Sequence, residues 1–421
     1  MMNDNHSPSE WTYKPRWLSS WLEEATTAHR VVVLTGARQV GKSTLLQHTF
    51  PHWRYLSLDD FDVRAQAERD PQALWAGAPE IILDEVQKAP PLLEAIKIAA
   101  DRRKTRFVLS GSANLLLMAK VSESLAGRAV YFTLSPMTWG ELHGRPAPAS
   151  LQHLLDGKLP HEGSVEPHDP AESIARGFMP PLLSLTAPHA CTRWWEGYIV
   201  TYLERDLRQL ARIEALADFQ RVMVALALRS GQVLNQSEVA RDTAVPQPTV
   251  HRYLNLLEAS HLLERLPAYA VSRTKRLIKA PKIYWTDPAL AAYLAGYYET
   301  ESVRAAREYG ALFETMVLHH LRVLGQMMTP RARLFWWRTV AGHEVDFIVE
   351  HGRRLVAVEV KLSAQPRYGD VEGLKLFLRE YPHARCGVLV HTGPEIRRLD
   401  EKIIAVPWTF FAGQAIESSF M

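Results

Sequence analysis

The sequence predicts an α/β protein: a parallel sheet covered by helices on both faces, then a helical middle, then a small α/β unit at the end. Three observations carry this. Short apolar runs alternate with amphipathic stretches through the first third. Helical periodicity dominates roughly 171–260. Strand-like runs flanking a His351-Gly352-Arg353-Arg354 turn return near the end.

In chain order, Val31 to Leu34, Tyr55 to Leu58, Ile81 to Leu83, Phe107 to Leu109 and Val130 to Leu134 read as buried strands. Pro91 to Arg102 is one of the helices between them. From Gly144 to Pro170 the chain turns to Pro, His and Gly with one short apolar island, which reads as a boundary or a flexible loop. In the middle, Gln236 starts a short helix, Val245-Pro246-Gln247-Pro248 makes a turn, and Thr249 to Ser260 forms a longer helix. Val250, Leu254 and Leu257 repeat at helical spacing and face a core, leaving Thr249, His251, Arg252 and Asn255 on other faces. A strand and wing follow, leading into a basic stretch with Arg273, Lys275, Arg276, Lys279 and Lys282 and no acidic residue. This is the order of a winged helix, in which the early residues of the second helix enter the major groove of DNA and the wing meets phosphates. A helical hairpin that only packs against its neighbours would read the same way.

Composition narrows the class of protein. Hydrophobic residues make up 47% and charged residues 23% of 421, the balance of a soluble globular chain of several domains. Val222 to Leu228 is far short of the roughly 20 apolar residues that a spanning helix needs, so no membrane segment is expected. The polar start lacks the pattern of an export signal, and Cys191 and Cys386 alone make no disulfide framework, so a reducing cytoplasm is expected. A net charge of +3 does not by itself argue for nucleic acid.

The most specific motif is Gly36-Ala37-Arg38-Gln39-Val40-Gly41-Lys42-Ser43, placed after a β-branched run and before a helical stretch that starts at Thr44. It fits the phosphate-binding loop, in which backbone N–H groups cradle anionic oxygens at a helix N-terminus. Lys42 would meet the β and γ phosphates of ATP, and the Ser43 hydroxyl would ligate Mg²⁺. The strand Ile81 to Leu83 ends in Asp84 and Glu85; Asp84 would hold Mg²⁺ and Glu85 would polarise the attacking water. Ser110, at the tip of the next strand, is either a sensor of the γ-phosphate or a plain turn former. Arg128 is either a cation for a neighbouring subunit's phosphates or a helix C-terminal charge.

In order and spacing, GARQVGKSTLL, YLSLDD, IILDEVQ, LSGSAN and ESLAGR resemble the AAA+-type ATPases of bacteria and archaea whose C-terminal half was long catalogued as a domain of unknown function. The resemblance runs over nearly the whole chain. It implies an AAA+ sheet, assembly through nucleotide interfaces into a ring, expected to be a hexamer, and Arg128 as the arginine finger.

Near the end, Glu359 and Lys361 lie two apart and share one strand face, with Asp346 on the preceding strand. A lone E-x-K is mostly a surface salt pair. Together with Glu314 upstream, however, the set is similar to the PD-(D/E)xK nuclease core, which implies that Asp346 and Glu359 hold a catalytic Mg²⁺. Such cores also serve as DNA-binding platforms. The paired tryptophans Trp194, Trp195, Trp336 and Trp337 read as core.

These readings divide the chain into an ATPase domain (1–143), a linker with a lid-like helical segment (144–205), a winged-helix-like domain (206–290) and a nuclease-like domain (291–421). The expected activity is Mg²⁺-dependent ATP hydrolysis coupled to binding and remodelling or translocation of DNA, branched or forked by preference. The two alternatives are an ATP-gated DNA endonuclease and a nucleotide-switched DNA-binding regulator without motor activity.

Overall fold

A computed structural model describes residues 13–102, 105–111, 125–201, 215–270, 272, 276 and 279–414. The first sheet is wholly parallel. Its strands are β1 (Val31–Thr35), β2 (Arg54–Ser57), β3 (Glu80–Asp84), β4 (Arg106–Ser110) and β5 (Ala129–Thr133), in the order β2-β3-β4-β1-β5. β1 is an interior strand, buried along its length, which is why its sequence is a β-branched run rather than an alternation. Helices α1 (Ser19–Ala28), α2 (Lys42–Thr49), α3 (Phe61–Arg69) and α4 (Leu92–Asp101) supply the other layers. Two apolar clusters divide the sheet's side chains: Val32, Leu34, Ile82 and Val108 in one, Val31, Val33, Ile81, Leu83, Phe107 and Leu109 in the other.

Next come α5 (Trp139–Leu142) and α6 (Ser150–Leu155). The stretch from Gly144 to Pro170 is packed, not the flexible loop that its Pro, His and Gly content also allows. Leu151, Leu154 and Leu155 of α6 are buried, Arg354 pairs with Asp156, and β6 (Gly163–Ser164) adds to the C-terminal sheet beside Glu395 and Ile396. The apolar island is the reason, since burying three leucines ties down the polar residues around them.

The middle is helical: α7 (Pro170–Arg176), α8 (Pro188–Tyr198), α9 (Leu216–Ala227), α10 (Gln236–Thr243) and α11 (Gln247–Ala259). Asn235 caps α10 by accepting from the N–H groups of Ser237 and Glu238, and Pro248 stands in the first turn of α11, where a missing N–H costs nothing. Val250, Leu254 and Leu257 are fully buried, and His251 and Arg252 are exposed. An antiparallel pair, β7 (Leu263–Leu266) and β8 (Lys282–Trp285), follows α11.

The last part is built on α12 (Pro288–Leu294), α13 (Thr300–Arg304), the long α14 (Tyr309–Gln326) and α15 (Glu372–Glu380). Its strands are β9 (Arg333–Arg338), β10 (Glu344–His351), β11 (Arg354–Val360), β12 (Cys386–His391), β13 (Glu395–Asp400) and β14 (Ile403–Pro407). The sheet order is β6-β13-β14-β12-β11-β10-β9, parallel only at β11/β12 and β12/β14. Trp195, Trp336 and Trp337 are core residues, and Trp194 stacks on Tyr198.

Candidate nucleotide site and a buried carboxylate cluster

The loop between β1 and α2 has the geometry that its glycines require. Gly36 has φ +148°, and a Cβ there would stand 2.3 Å from the Leu134 carbonyl oxygen; Gly41 has φ +89° and caps α2 in the left-handed region. Ala37 and Val40 are buried, Arg38 and Gln39 face outward, and Thr44 is half-buried in the first turn of α2. The loop is braced from outside. Arg16 donates to the Val40 carbonyl at 2.9 Å and to Ser135 at 2.7 Å, and the Tyr198 hydroxyl donates to the Arg38 carbonyl at 3.4 Å. Lys42 is buried, and its ammonium donates to the carbonyls of Gly36 (3.2 Å) and Ala37 (2.9 Å). Burial pulls its pKa down, against the opposing pull of Glu85 and Asp84.

Parallel pairing brings the tips of β1, β3 and β4 together and fixes Asp84 at their centre. Its Oδ2 accepts from Ser43 Oγ at 2.5 Å and from the Tyr55 hydroxyl at 2.6 Å. Its Oδ1 accepts from the Glu85 N–H at 3.0 Å and from Ser110 Oγ, which is completely buried. Ser110 thus lies against Asp84. Tyr55 went unnoticed in the sequence because strand tyrosines are common; burial and the Asp84 contact push its hydroxyl pKa up. Glu85 leaves the strand at φ +55° with a half-buried carboxylate that accepts from Gln87 Nε2. The hydroxyl and carboxylate oxygens of Ser43 and Asp84 are hard donors already in contact, a set that suits Mg²⁺.

Arg128 precedes β5, whose first residue pairs with the first residue of β1, whereas the phosphate loop follows the last. It therefore stands at the end of the sheet away from its own loop, bound to Asp101 at 2.6 and 3.0 Å. Arg273 and Lys275 lie outside the described residues, as do Ser112 to Asn114 and Glu123-Ser124 of the sequence motifs.

One basic residue assigned to DNA is not on the surface. Arg276 is only 8% exposed; it donates to both oxygens of Glu350 at 3.0 Å and to the Ala270 carbonyl at 2.5 Å, and lies over the rings of Tyr269 and Phe335. It fastens the segment between β7 and β8 to β10, its buried guanidinium held by a carboxylate fork and two ring faces. Lys279 is exposed, as are His251 and Arg252, and Thr249 is half-buried.

At the far end, Glu314, Asp346, Glu359 and Lys361 do approach one another. The register of β10 with β9 slips between Val345 and Ile348, at Asp346, and Asp346 Oδ2 accepts from the Val360 N–H at 2.8 Å. Lys361 pairs with Glu359 at 2.8 Å. Burial and the neighbouring carboxylates raise the pKa of Glu314, Asp346 and Glu359. The expectation of a metal held by Asp346 and Glu359 meets a different arrangement, however. The ammonium of Lys282, from β8, stands 3.1 Å from Glu314, 2.5 Å from Glu344 and 3.6 Å from Asp346, and Tyr284 also donates to Glu314. Among the described residues no group of three His, Cys, Asp or Glu side chains is arranged to hold a metal ion. Tyr284 and Glu344 escape the sequence reading, which counts Lys282 only as part of a basic stretch; the one available signal is a lysine opening the otherwise apolar strand Lys282-Ile283-Tyr284-Trp285.

Sheet order, loop and strand-tip carboxylate together define an AAA-type P-loop protein, and residues 28–143 match the family model described as an AAA domain. Residues 168–301 and 309–411 match two further models, each described as a domain of unknown function (DUF8612 and DUF4143). The chain belongs to the same family as the proteins named uncharacterized protein Rv2008c of Mycobacterium tuberculosis and uncharacterized protein Mb2031c of Mycobacterium bovis. Each is 30% identical over 392 residues, which is 92% of this chain and 82% of the relative. Among solved structures, the Walker-type ATPase PABY2304 of Pyrococcus abyssi aligns with 68% of this chain and 99% of its own at 16% identity and a TM-score of 0.45. The ORC1 protein of Aeropyrum pernix, solved in complex with DNA, aligns with 68% of this chain and 93% of its own at 14% identity and a TM-score of 0.26. No described helix is long and apolar enough to cross a membrane.

Proposed function

We propose that this chain is a Mg²⁺-dependent ATPase that couples hydrolysis to binding and remodelling or translocation of DNA. The observation that carries the ATPase reading is the meeting of Lys42 and Ser43, which follow β1, with Asp84 and Glu85 at the tip of β3, the two strands on either side of β4. Backbone N–H groups of 36–43 and the Lys42 ammonium receive the phosphates, Lys42 exchanging its loop carbonyls for phosphate oxygens. Ser43 and Asp84 would hold Mg²⁺, which neutralises charge on the phosphate oxygens when bound. Glu85 orients and polarises the attacking water, and acceleration comes from placement and from charges aimed at the transferring phosphoryl group. Arg128, remote from its own loop, completes the site of a neighbouring copy in a ring.

DNA is the proposed load because α10 and α11 form a helix–turn–helix with His251 and Arg252 exposed near the start of the second helix, and Lys279 is also exposed. The test is ATP turnover with and without duplex, single-stranded and forked DNA, in the parent chain and in Glu85→Gln. The reading expects stimulation by at least one DNA form, and a variant that binds ATP while hydrolysing about 10²–10⁴-fold more slowly. Turnover indifferent to every DNA would reject the coupling. A fully active Glu85→Gln would reject the assigned base.

A further inference from the structure

The carboxylates that converge at the C-terminal sheet belong to different elements: Glu314 to α14, Glu344 and Asp346 to β10, and Glu359 to β11. Several carboxylates facing one point repel one another and need a cation. The cation is already there, and it is part of the chain. Lys282 is 3% exposed, with its ammonium within 3.1 Å of Glu314 and 2.5 Å of Glu344, and 3.6 Å from Asp346. The ammonium is within hydrogen-bond distance of Glu314 and Glu344 and pairs by charge with Asp346.

We propose that Lys282 is a built-in counter-ion that takes the place of a divalent metal ion in the Glu314–Glu344–Asp346 cluster, so that the cluster binds Mg²⁺ or Mn²⁺ only when that ammonium is removed. Oxygen-only donors from three acidic side chains are the ligands that such hard cations choose. A buried ammonium and a divalent ion cannot share so small a volume without strong repulsion. Glu359 stands next in line: its Oε1 is held by Lys361, and its buried Oε2 has no hydrogen-bond partner, an acceptor that Lys282 does not serve. The source of the cation matters as well. Lys282 and Tyr284 share one face of β8, in the β7/β8 pair, and both reach Glu314, while Lys282 also reaches Glu344 and Asp346, so the contact that fills the cluster fastens the β7/β8 pair to α14 and to the C-terminal sheet. The nuclease-like core is thereby held without a metal, as a platform.

The experiment is Mn²⁺ binding to the full chain, followed by electron paramagnetic resonance without nucleotide and in an Asp84→Asn background that removes the P-loop metal ligand. The parent is expected to show no site that depends on Asp346. Lys282→Gln should gain about one Mn²⁺ per chain, with affinity at least about 10-fold above the parent's, and should lose it again in Lys282→Gln/Asp346→Asn. Lys282→Arg, which keeps the charge, should stay free of Mn²⁺. Asp346-dependent Mn²⁺ binding by the parent would overturn the proposal, as would a folded Lys282→Gln that gains none. Should Lys282→Gln fold only with metal present, Mn²⁺ must restore its folding and Asp346→Asn must abolish the rescue; failure of that rescue also overturns it.

Discussion

Replacing Ser110 by alanine separates two roles for that residue, and the structure supplies the magnitude. The two oxygens of Asp84 are differently engaged. Oδ2 receives Ser43 and Tyr55, the side on which Ser43 would share a cation; Oδ1 receives Ser110 and the Glu85 N–H and only fixes orientation. Ser110→Ala removes one oxygen from a fully buried position and opens almost no space, so its effect is the loss of one hydrogen bond to a carboxylate, about 1.5–3 kcal/mol. If Ser110 orients Asp84, affinity for Mg²⁺ in the presence of nucleotide falls by about 10- to 100-fold, the range usual for groups that hold a metal ligand in place. Tyr55→Phe should leave that affinity unchanged or raise it, because the Tyr55 hydroxyl occupies a lone pair of the oxygen that would take the cation. The assay is a Mg²⁺ titration of fluorescent-nucleotide binding for both variants, with steady-state turnover at saturating Mg²⁺ alongside. A Ser110→Ala chain with unchanged Mg²⁺ affinity and a reduced kcat would refute the orienting role and restore the γ-phosphate sensor.

Three further outcomes follow from the same geometry. Arg128→Ala mixed with Lys42→Ala should regain turnover, since a site made from the intact loop of one copy and the intact arginine of the next is complete; absence of recovery in mixing assays counts against a shared site. Arg276→Met should lower stability by about 3–5 kcal/mol, because Glu350 is left without its fork, while Lys279→Ala should weaken DNA binding with little effect on the melting curve. Finally, burial holds His319 down to about 4 and His320 to about 3, so both are neutral in the fold and titrate near 6.5 when unfolded. Below about pH 6.5 the unfolded chain binds more protons, so stability falls as pH drops from about 6.5 toward 4, by up to about 1.4 kcal/mol per pH unit for each group, and His319→Gln with His320→Gln should flatten that slope in denaturant titrations.

Local signals were legible in the sequence, and long-range partnerships were not. Buried parallel strands announce themselves as β-branched runs, so β1 to β5 lie within a residue or so of where periodicity puts them. The phosphate loop is contiguous, and its glycine pattern is a direct record of backbone shape. Arg276 and Lys282 sit in a stretch that reads as uniformly basic, yet Lys279 is exposed whereas these two are buried on carboxylates 74 and 32 residues away, at Glu350 and Glu314. Nothing in their neighbours distinguishes them, because the partner that decides burial is supplied by the fold. Reading the Gly144 to Pro170 stretch as a flexible loop misleads for the converse reason: its polar composition is real, and three leucines outweigh it.

The carboxylate cluster and the P-loop are far apart in sequence but mechanically joined. Gly36 packs on the Leu134 carbonyl, and the chain that leaves β5 there runs directly to Met137 and Trp139. Those two residues are bonded to α14: His319 Nε2 meets the Met137 carbonyl at 2.9 Å, and His320 Nε2 accepts from the Trp139 N–H at 3.1 Å. Glu314 lies six residues earlier on the same helix than His320, about 9 Å along its axis. A helix bolted at His319 and His320 to the segment behind the phosphate loop and at Glu314 to Lys282 moves as a body or breaks one of these bonds. A movement of Leu134 to Trp139 would therefore bear on the Lys282 contact, and with it on how the β7/β8 pair sits against the C-terminal sheet. In this arrangement the buried lysine ties the β7/β8 pair to α14 at Glu314 and to β10 at Glu344 and Asp346.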